Sequence, residues 1–132
     1  MNNETISSIM NTKFASISSS ALVIEAAKAL VQNETLGAVV LDVDGKLLGW
    51  ISEQECLQVT IQVAYHNQRV ATVEDIMSKD VLTVSASQSI LSIAEKMITD
   101  KPKNYPVVDD SGKVVGIVTR RQVLKYLLTQ IK

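Results

Sequence analysis

The sequence is poor in the residues from which most covalent and metal chemistry is built. It contains one cysteine, Cys56, and one histidine, His66, among 132 residues. A single cysteine excludes an internal disulfide, and a lone histidine without carboxylates or thiolates at ligand spacing does not predict a metal site. No nucleophile–base pair stands out either, so the sequence does not predict an enzyme. Cys56 falls at an apolar position of the chain, and we expect an inert buried thiol.

The chain also lacks an excess of one charge and a long apolar run. Its net charge is −1, which leaves no global field to hold nucleic acid or an anionic membrane. Apolar runs such as residues 38–41 are far too short to span a bilayer, and the polar residues 1–4 do not begin a signal peptide. Apolar residues nevertheless make up 46% of the chain. We therefore expect a soluble, cytoplasmic protein with no membrane or nucleic-acid partner.

A repeat with an offset of 67 residues dominates the sequence. Residues 6–57 align with residues 73–124 without a gap. Among these 52 pairs 11 are identical, Gly49 and Gly116 among them, where average composition gives about three. Another 16 of the remaining 41 pairs exchange one apolar residue for another. The chain therefore carries two copies of one folding unit.

Each copy has the pattern of a β-α-β-β-α unit. A short strand precedes a helix whose apolar residues follow the i, i+3, i+4, i+7 stripe. Two strands then flank a turn that contains glycine, and a second apolar helix closes the copy. A short helical segment leads into each copy, at 4–10 and 72–77. We predict domains at 1–66 and 67–132 and an α/β fold in which the copies pack as a pseudo-twofold pair, because one three-stranded sheet alone buries little surface.

The two copies in register resemble a pair of CBS domains, the Bateman module. The residues that carry the resemblance are Asp75-Ile76-Met77, Tyr105-Pro106-Val107-Val108-Asp109 and the segment 112–119. The resemblance implies a regulatory module whose clefts bind an adenosine compound: AMP, ADP or ATP, or else S-adenosylmethionine or NAD, with no metal. It also implies a homodimer. Because we find no effector domain in the chain, we expect an unknown effector protein as a further partner.

The family binds its ligand at a Gly-x-x-Thr/Ser-x-x-Asp motif, in which the hydroxyl meets phosphate at a helix start and the aspartate accepts from the ribose. The resemblance assigns these roles to Ser52 and Glu55 in the first copy and to Thr119 and Gln122 in the second. Neither copy has the aspartate. Both pairs also fit a capping box, in which the two side chains bond each other's backbone N–H. The sequence leaves ribose binding and capping open.

The charges beside these motifs favour the second-copy cleft. Glu53 makes the first helix start acidic, which suits the helix dipole and opposes a phosphate. Arg120 and Arg121 make the second start basic, and a guanidinium grips phosphate with two parallel bonds. The two halves of the sequence show the same contrast in charge, with a net charge of −4 for residues 1–66 and +3 for residues 67–132. The alternative is that either arginine is ordinary solvated surface.

Five further second-copy residues complete the candidate site. Thr83 precedes Val84 in the first strand, where the family often contacts the nucleoside. Tyr105 leads into Pro106 and Val107 in the next strand. The Tyr105 ring either lines an adenine slot or belongs to the core with a solvated hydroxyl.

A dimerising interaction module with ligand-free clefts is the competing interpretation, and the missing aspartates support it. Association is expected in either case, because the closing helices are apolar over more of their surface than one sheet can cover. The apolar positions are Cys56, Leu57, Val59, Ile61, Val63 and Ala64 in the first closing helix and residues 123–131 in the second. We therefore expect a homodimer.

Overall fold

The computed structural model describes residues 4–66, 69, 71–100 and 104–131. None of the helices within these ranges is long and apolar enough to cross a membrane. The helices and strands, in chain order, are a 3₁₀ turn (Ile6–Ser8), β1 (Ser16–Ser18), α1 (Val23–Gln32), β2 (Gly37–Leu41), β3 (Leu47–Ser52), α2 (Glu53–His66), α3 (Val73–Ile76), β4 (Val84–Ser85), α4 (Ile90–Thr99), β5 (Asn104–Val108), β6 (Val114–Thr119) and α5 (Arg120–Thr129).

Two three-stranded sheets repeat the same topology. In the first sheet β1 runs parallel to β2, and β2 pairs antiparallel with β3. β4, β5 and β6 repeat this order in the second sheet. Helices α1 and α2 pack together beside the first sheet, and α4 and α5 pack together beside the second. The predicted α/β class with tandem β-α-β-β-α units is confirmed.

The hairpin turns that precede β3 and β6 are built alike. In the second turn the Asp109 Oδ1 accepts the backbone N–H groups of Ser111 at 2.9 Å and Lys113 at 3.0 Å. Gly112 follows with a φ of 88°, in the region that favours glycine. The Ser111 hydroxyl and these N–H groups hold the pKa of Asp109 below its usual value. The first turn repeats the arrangement around Asp42, so these carboxylates serve the turns.

The chain divides into two compact units whose boundaries differ from the predicted division at 66/67. The first unit is Ala15–Val81, and the second unit combines Met1–Phe14 with Leu82–Lys132. The segment that leads into the first copy thus belongs to the second unit. The segment that leads into the second copy, with α3, belongs to the first unit.

Backbone bridges attach each lead-in segment to its unit. In the first unit Trp50 and Ser78 exchange two N–H···O bonds, of 2.9 and 2.8 Å. In the second unit Asn11 and Ile117 exchange bonds of 2.8 and 2.9 Å. A second bridge in each unit ties the other end of the lead-in to the residue before a helix. Since the alignment offset of 67 relates all four bridges, the exchange of lead-ins is part of the repeat.

Each unit also buries a side chain from its lead-in. Val73 lies in the first cluster and Ile6 in the second, and neither has any exposed surface. Full burial of such a side chain contributes about 1.5–3 kcal/mol. The buried clusters are Val23, Ala26, Leu30, Ala38, Val40, Ile51, Cys56, Val59 and Val73 in the first unit. In the second unit they are Ile6, Val84, Ile90, Ile93, Met97, Tyr105, Val107, Val118 and Val123.

Gly49 in β3 and Gly116 in β6 let the lead-in segments approach closely. A Cβ at Gly49 would stand 2.6 Å from the carbonyl oxygen of Ser78, and a Cβ at Gly116 would stand 2.7 Å from the sulfur of Met10. Both distances are far below the ordinary separation of non-bonded heavy atoms. The nearest obstacle is backbone at Gly49, whereas at Gly116 it is the end of a flexible side chain.

We therefore expect Gly49→Ala to lower the free energy of unfolding by about 2–3 kcal/mol, and Gly116→Ala by about 1 kcal/mol, because methionine can move aside and a bridged carbonyl cannot. Urea unfolding of each single variant measures the difference. Gly112→Ala is the control, because no atom lies within 4 Å of its new Cβ and only the φ of 88° is unfavourable. Equal losses at Gly49 and Gly116 would contradict this account of the lead-in contact.

Candidate functional site

The candidate residues of the second copy meet at one end of the second sheet. Val84 pairs with Val107 in the parallel ladder, which places Thr83 beside Pro106. Pro106 pairs in turn with Ile117 of β6. The predicted strand residues are therefore brought together by the sheet. The side chains of Val84, Pro106 and Val107 are buried, and that of Thr83 is half-buried.

Thr119 ends β6 and caps α5. Its hydroxyl accepts the N–H of Gln122 at 3.1 Å, and the Gln122 Oε1 accepts the N–H of Thr119 at 2.8 Å. These two bonds form the capping box that the sequence offered as one of two interpretations. The hydroxyl hydrogen of Thr119 has no acceptor among the residues that the structure describes, so it can still donate to an anion.

At the start of α2 the corresponding hydroxyl is that of Ser52, and its hydrogen bonds differ from those of Thr119. The Ser52 N–H donates to the Glu55 Oε1 at 3.0 Å, and the Glu55 N–H donates to the Ser52 Oγ at 3.3 Å. The Ser52 hydroxyl also donates to the Glu55 Oε1 at 3.1 Å, which uses its hydrogen. The N–H of Glu53 is bonded to the carbonyl oxygen of Leu36 at 2.8 Å. This helix start is therefore acidic and internally bonded, and it is a poor place for an anion.

Arg120 and Arg121 occupy the first two positions of α5 with exposed side chains. Arg120 lies near enough to Tyr105 to lower the pKa of its phenol, against the larger raising effects of burial and of Asp100. A guanidinium at this place adds positive charge beside the Thr119 hydroxyl.

Tyr105 is a core residue. Its side chain has no exposed surface, and its hydroxyl donates to the Asp100 Oδ2 at 3.3 Å. Burial first, and then the Asp100 carboxylate, raise the pKa of Tyr105. The structure therefore fits the interpretation of Tyr105 as a core residue. The expected contact of its hydroxyl with solvent is replaced by the hydrogen bond to Asp100. The use of this ring as an adenine slot stays a prediction.

Two polar residues beside the candidate set were not predicted from the sequence. Asn104 is half-buried and pairs with Thr119 across the β5–β6 ladder. Asp100 ends α4 and holds the Tyr105 hydroxyl. Counting back from the hairpin turn would have placed Asn104 opposite Val118, because the sequence does not show the bulge between Val107 and Val108 that shifts the register by one residue. No sequence signal points to Asp100.

The two units carry opposite charge. The first unit has four basic and nine acidic residues, a net charge of −5. The second unit has nine basic and five acidic residues, a net charge of +4. The contrast is larger than the one between the sequence halves, because the boundary at Val81 adds Glu74, Asp75 and Asp80 to the first unit.

Metal-ligating residues do not assemble in the described part of the chain. Among residues 4–66, 69, 71–100 and 104–131, no three His, Cys, Asp or Glu side chains lie close enough to hold a metal ion. Cys56 is buried, and burial first and then the charge of Glu55 raise the pKa of its thiol. Cys56 is thus buried, as the sequence predicted, and a protonated, buried thiol is a weak nucleophile.

An open groove of about 1070 Å³ lies between α1 and α2 of the first unit. We call it the α1–α2 groove. Most of its surface is apolar, with Glu53 and Gln54 at the start of α2 along its wall. The apolar part of the lining includes Ala27, Val31, Leu36, Cys56 and Leu57.

Known proteins share this fold and sequence pattern. The family model described as CBS domain matches residues 6–61 and 73–129. CBSX2 from Arabidopsis thaliana, solved in complex with AMP, superposes with a TM-score of 0.83 over 96% of this chain and 98% of that chain, at 26% identity. The CBS domain pair of protein MJ0100, solved with 5′-methylthioadenosine and S-adenosyl-L-methionine, superposes with a TM-score of 0.80 over 98% of this chain and 100% of that chain, also at 26% identity.

A curated enzyme contains a related segment. The L-aspartate semialdehyde sulfurtransferase of Methanocaldococcus jannaschii is 33% identical over 101 residues, which cover 76% of this chain. The same match covers 19% of the sulfurtransferase, so this chain spans about a fifth of that relative's length.

Loss of either capping hydroxyl should destabilise the protein by about 0.5–2 kcal/mol, because one backbone N–H at the helix start then loses its acceptor. The variants are Ser52→Ala and Thr119→Ala, and thermal or urea unfolding measures the effect. Gln54→Ala is the control, because Gln54 is the exposed second residue of α2 and its side chain does not form part of the capping box. A loss no larger than that of the control would show that the two capping boxes are not formed in solution.

Proposed function

The chain belongs to the CBS domain family, and on that premise we propose that it is a regulatory module that binds an adenosine nucleotide and signals to a partner protein. The ligand class is supported by the solved relatives, since AMP, 5′-methylthioadenosine and S-adenosyl-L-methionine all contain an adenosine moiety. For this chain the ligand is AMP, ADP or ATP. The protein acts in the cytoplasm, through its partner and without catalysis of its own.

The second-copy residues are the proposed binding site. The observation that carries this proposal is the start of α5, where the Thr119 hydroxyl keeps a hydrogen to donate and two arginines stand exposed beside it. A helix N-terminus with added guanidinium groups suits a phosphate. At the start of α2 the serine hydroxyl is bonded to Glu55, and the neighbouring charge is negative.

Ribose recognition is the weaker part of the site. The Gln122 Oε1 already accepts the N–H of Thr119, and the other end of the amide is an NH₂ group, which can only donate. A carboxylate can accept hydrogen bonds from both ribose hydroxyls, whereas an NH₂ group cannot accept from either. Gln122 therefore favours a ligand held through its phosphate more than through its ribose.

A dimerising interaction module with ligand-free clefts is the second candidate function. One observation favours it: both motifs form complete capping boxes, so that each has a structural reason to exist without a ligand. The missing aspartate in both copies agrees with this alternative. Binding measurements separate the two functions.

Arg120→Ala and Arg121→Ala should each weaken AMP or ATP binding by about ten- to hundredfold, the equivalent of one charge-assisted contact of about 1.5–3 kcal/mol. Gln122→Asp should tighten binding, because it adds the carboxylate that accepts from the ribose, next to two cations that stabilise its charge. Isothermal titration calorimetry on folded protein measures all three.

Glu55→Gln is the matched control for this series. It changes the equivalent position of the first copy and should leave the affinity nearly unchanged. If neither the wild type nor Gln122→Asp shows heat with any adenosine compound at millimolar concentration, the nucleotide proposal fails and the interaction module takes its place.

We expect a homodimer in both cases, because the apolar surplus of the closing helices is exposed. Leu57 and Ile61 on α2 and Leu124 and Leu128 on α5 all lie on the surface of their unit. Light scattering at tens of micromolar should give about twice the chain mass of 14.4 kDa. A mass of one chain at that concentration would contradict the dimer.

A further inference from the structure

One position beside the capping hydroxyl differs completely between the two copies. Asn104 of β5 pairs with Thr119 of β6, and at the offset of 67 Gly37 of β2 pairs with Ser52 of β3. Residues paired directly across two antiparallel strands project from the same face of the sheet, with Cβ atoms about 4.5–5.5 Å apart. The residue at this position therefore stands next to the capping hydroxyl of its own copy.

The carboxamide of Asn104 has unused capacity for hydrogen bonds. Its side chain is half-buried, and it has no hydrogen-bond partner among the residues that the structure describes. In the same part of the chain no polar side-chain atom is both fully buried and without a partner, so the amide reaches solvent. The neighbouring Thr119 hydroxyl also keeps its hydrogen. The amide NH₂ and the hydroxyl can therefore donate to one acceptor that lies between them.

In the first copy an indole ring occupies the corresponding space. A Cβ at Gly37 would stand 2.6 Å from the Trp50 Nε1 and 2.7 Å from its Cε2 and Cζ2. These distances are far below the ordinary separation of non-bonded heavy atoms, so no side chain fits at Gly37 while the ring lies there. Trp50 corresponds to Ile117 at the offset of 67. The large residue on β3 thus covers the place that the Asn104 side chain takes in the second copy.

The exchange changes the chemistry beside the capping hydroxyl. The second copy offers an amide, which carries two N–H donors and an acceptor, next to a hydroxyl that can still donate. The first copy offers an aromatic surface with a single N–H, next to the Ser52 hydroxyl, whose hydrogen is bonded to Glu55. The capacity to bind a polar ligand is therefore concentrated in the second copy.

We propose that Asn104 donates a hydrogen bond to the nucleotide phosphate beside Thr119, and that Trp50, lying over Gly37, closes the equivalent place in the first copy. The inference rests on the proposed nucleotide binding. It adds a binding residue outside the Gly-x-x-Thr/Ser-x-x-Asp motif and a steric reason why one copy takes the ligand. A hydrogen bond to an ionised phosphate is stronger than one between neutral groups, so the loss of Asn104 should be measurable.

Two replacements of Asn104 separate a hydrogen-bond donor from a residue that only fills space. Asn104→Leu keeps nearly the shape of asparagine and cannot donate, so it should weaken AMP binding by about tenfold or more. Asn104→Ser keeps a donor on a smaller side chain and should weaken binding less than Asn104→Leu does. Isothermal titration calorimetry measures both affinities. A larger loss for serine than for leucine would show that Asn104 fills space and does not donate.

Gln54→Leu is the matched control for Asn104→Leu. It makes a similar change from an amide to an apolar side chain at an exposed position of α2, outside the proposed binding site. The affinity for AMP should change by less than about twofold, as is usual for a surface substitution.

An exchange of residues between the copies tests the choice of copy. Asn104→Gly with Ile117→Trp builds the first-copy arrangement into the second copy. It should abolish the heat of AMP binding at millimolar concentration, although Thr119, Arg120 and Arg121 remain. Circular dichroism shows whether the variant is folded. If it does not fold, Asn104→Leu and the opposite exchange decide the matter.

The opposite exchange, Gly37→Asn with Trp50→Ile, opens the first copy. It is made in a background that also gives the start of α2 the charges of α5, through Glu53→Arg, Gln54→Arg and Glu55→Gln. The background alone retains Trp50 and is the control, and it should keep the wild-type number of AMP molecules per chain. The background with the opposite exchange should bind one further AMP per chain. Calorimetry reports both the affinity and the stoichiometry.

The outcomes distinguish this inference from the proposed function. If neither the wild type nor Gln122→Asp gives heat with any adenosine compound, nucleotide binding itself fails. If the wild type binds, three results overturn the inference alone: an affinity of Asn104→Leu within about twofold of the wild type, a further AMP bound by the background with Trp50 retained, or no further AMP bound after the opposite exchange. Loss in Asn104→Leu and gain only after the opposite exchange support it.

Discussion

Each unit depends on a short segment that the other copy supplies. The bridge between Trp50 and Ser78 in the first unit, and that between Asn11 and Ile117 in the second, attach this segment to the last strand of the sheet. The same segment fills the core with one fully buried side chain and crosses a glycine that leaves room for it. Neither copy alone therefore contains all the residues that its sheet and helices need. Within this chain, each unit is completed by residues that the other copy supplies.

The two copies agree where the fold depends on them and differ at the helix starts. Both keep the turn carboxylate, the turn glycine and the glycine that faces the lead-in. Both also keep a capping box at the closing helix. The charges around that box have diverged, from Glu53 to Arg120. Because capping binds the side chain to backbone and leaves its flanks exposed, charge can change there at little structural cost.

Much of the fold could be predicted from the sequence. The offset of 67 identified the copies, and apolar periodicity gave the order of helices and strands. The division into units could not be predicted in the same way. A lead-in segment fits either copy equally well in an alignment, since Ile9-Met10 and Ile76-Met77 are the same two residues. Only the bridges and the buried side chains show which body each segment joins.

The candidate site was predictable in its residue types and ambiguous in their roles. A Thr-x-x-Gln sequence supports a capping box and a ligand contact with the same atoms, so spacing cannot separate them. The structure separates the two helix starts. The Ser52 hydroxyl donates its hydrogen to the Glu55 carboxylate, whereas the Thr119 hydroxyl accepts the Gln122 N–H and donates to no described residue. Tyr105 was ambiguous for a similar reason, because an aromatic residue in a buried strand suits a core and a binding slot alike.

The exchange of lead-ins also orders events during synthesis on the ribosome. Ala15–Val81 is continuous, so all of the first unit has been made once Val81 is added. Ile6 is made much earlier than its core partners Ile90 and Ile93, which follow about 84 residues later. At a translation rate of roughly 5–20 residues per second, this apolar segment waits about 4–17 s without its binding surface. The apolar residues of this segment therefore stay without their core partners during an interval in which all residues of the first unit have already been made.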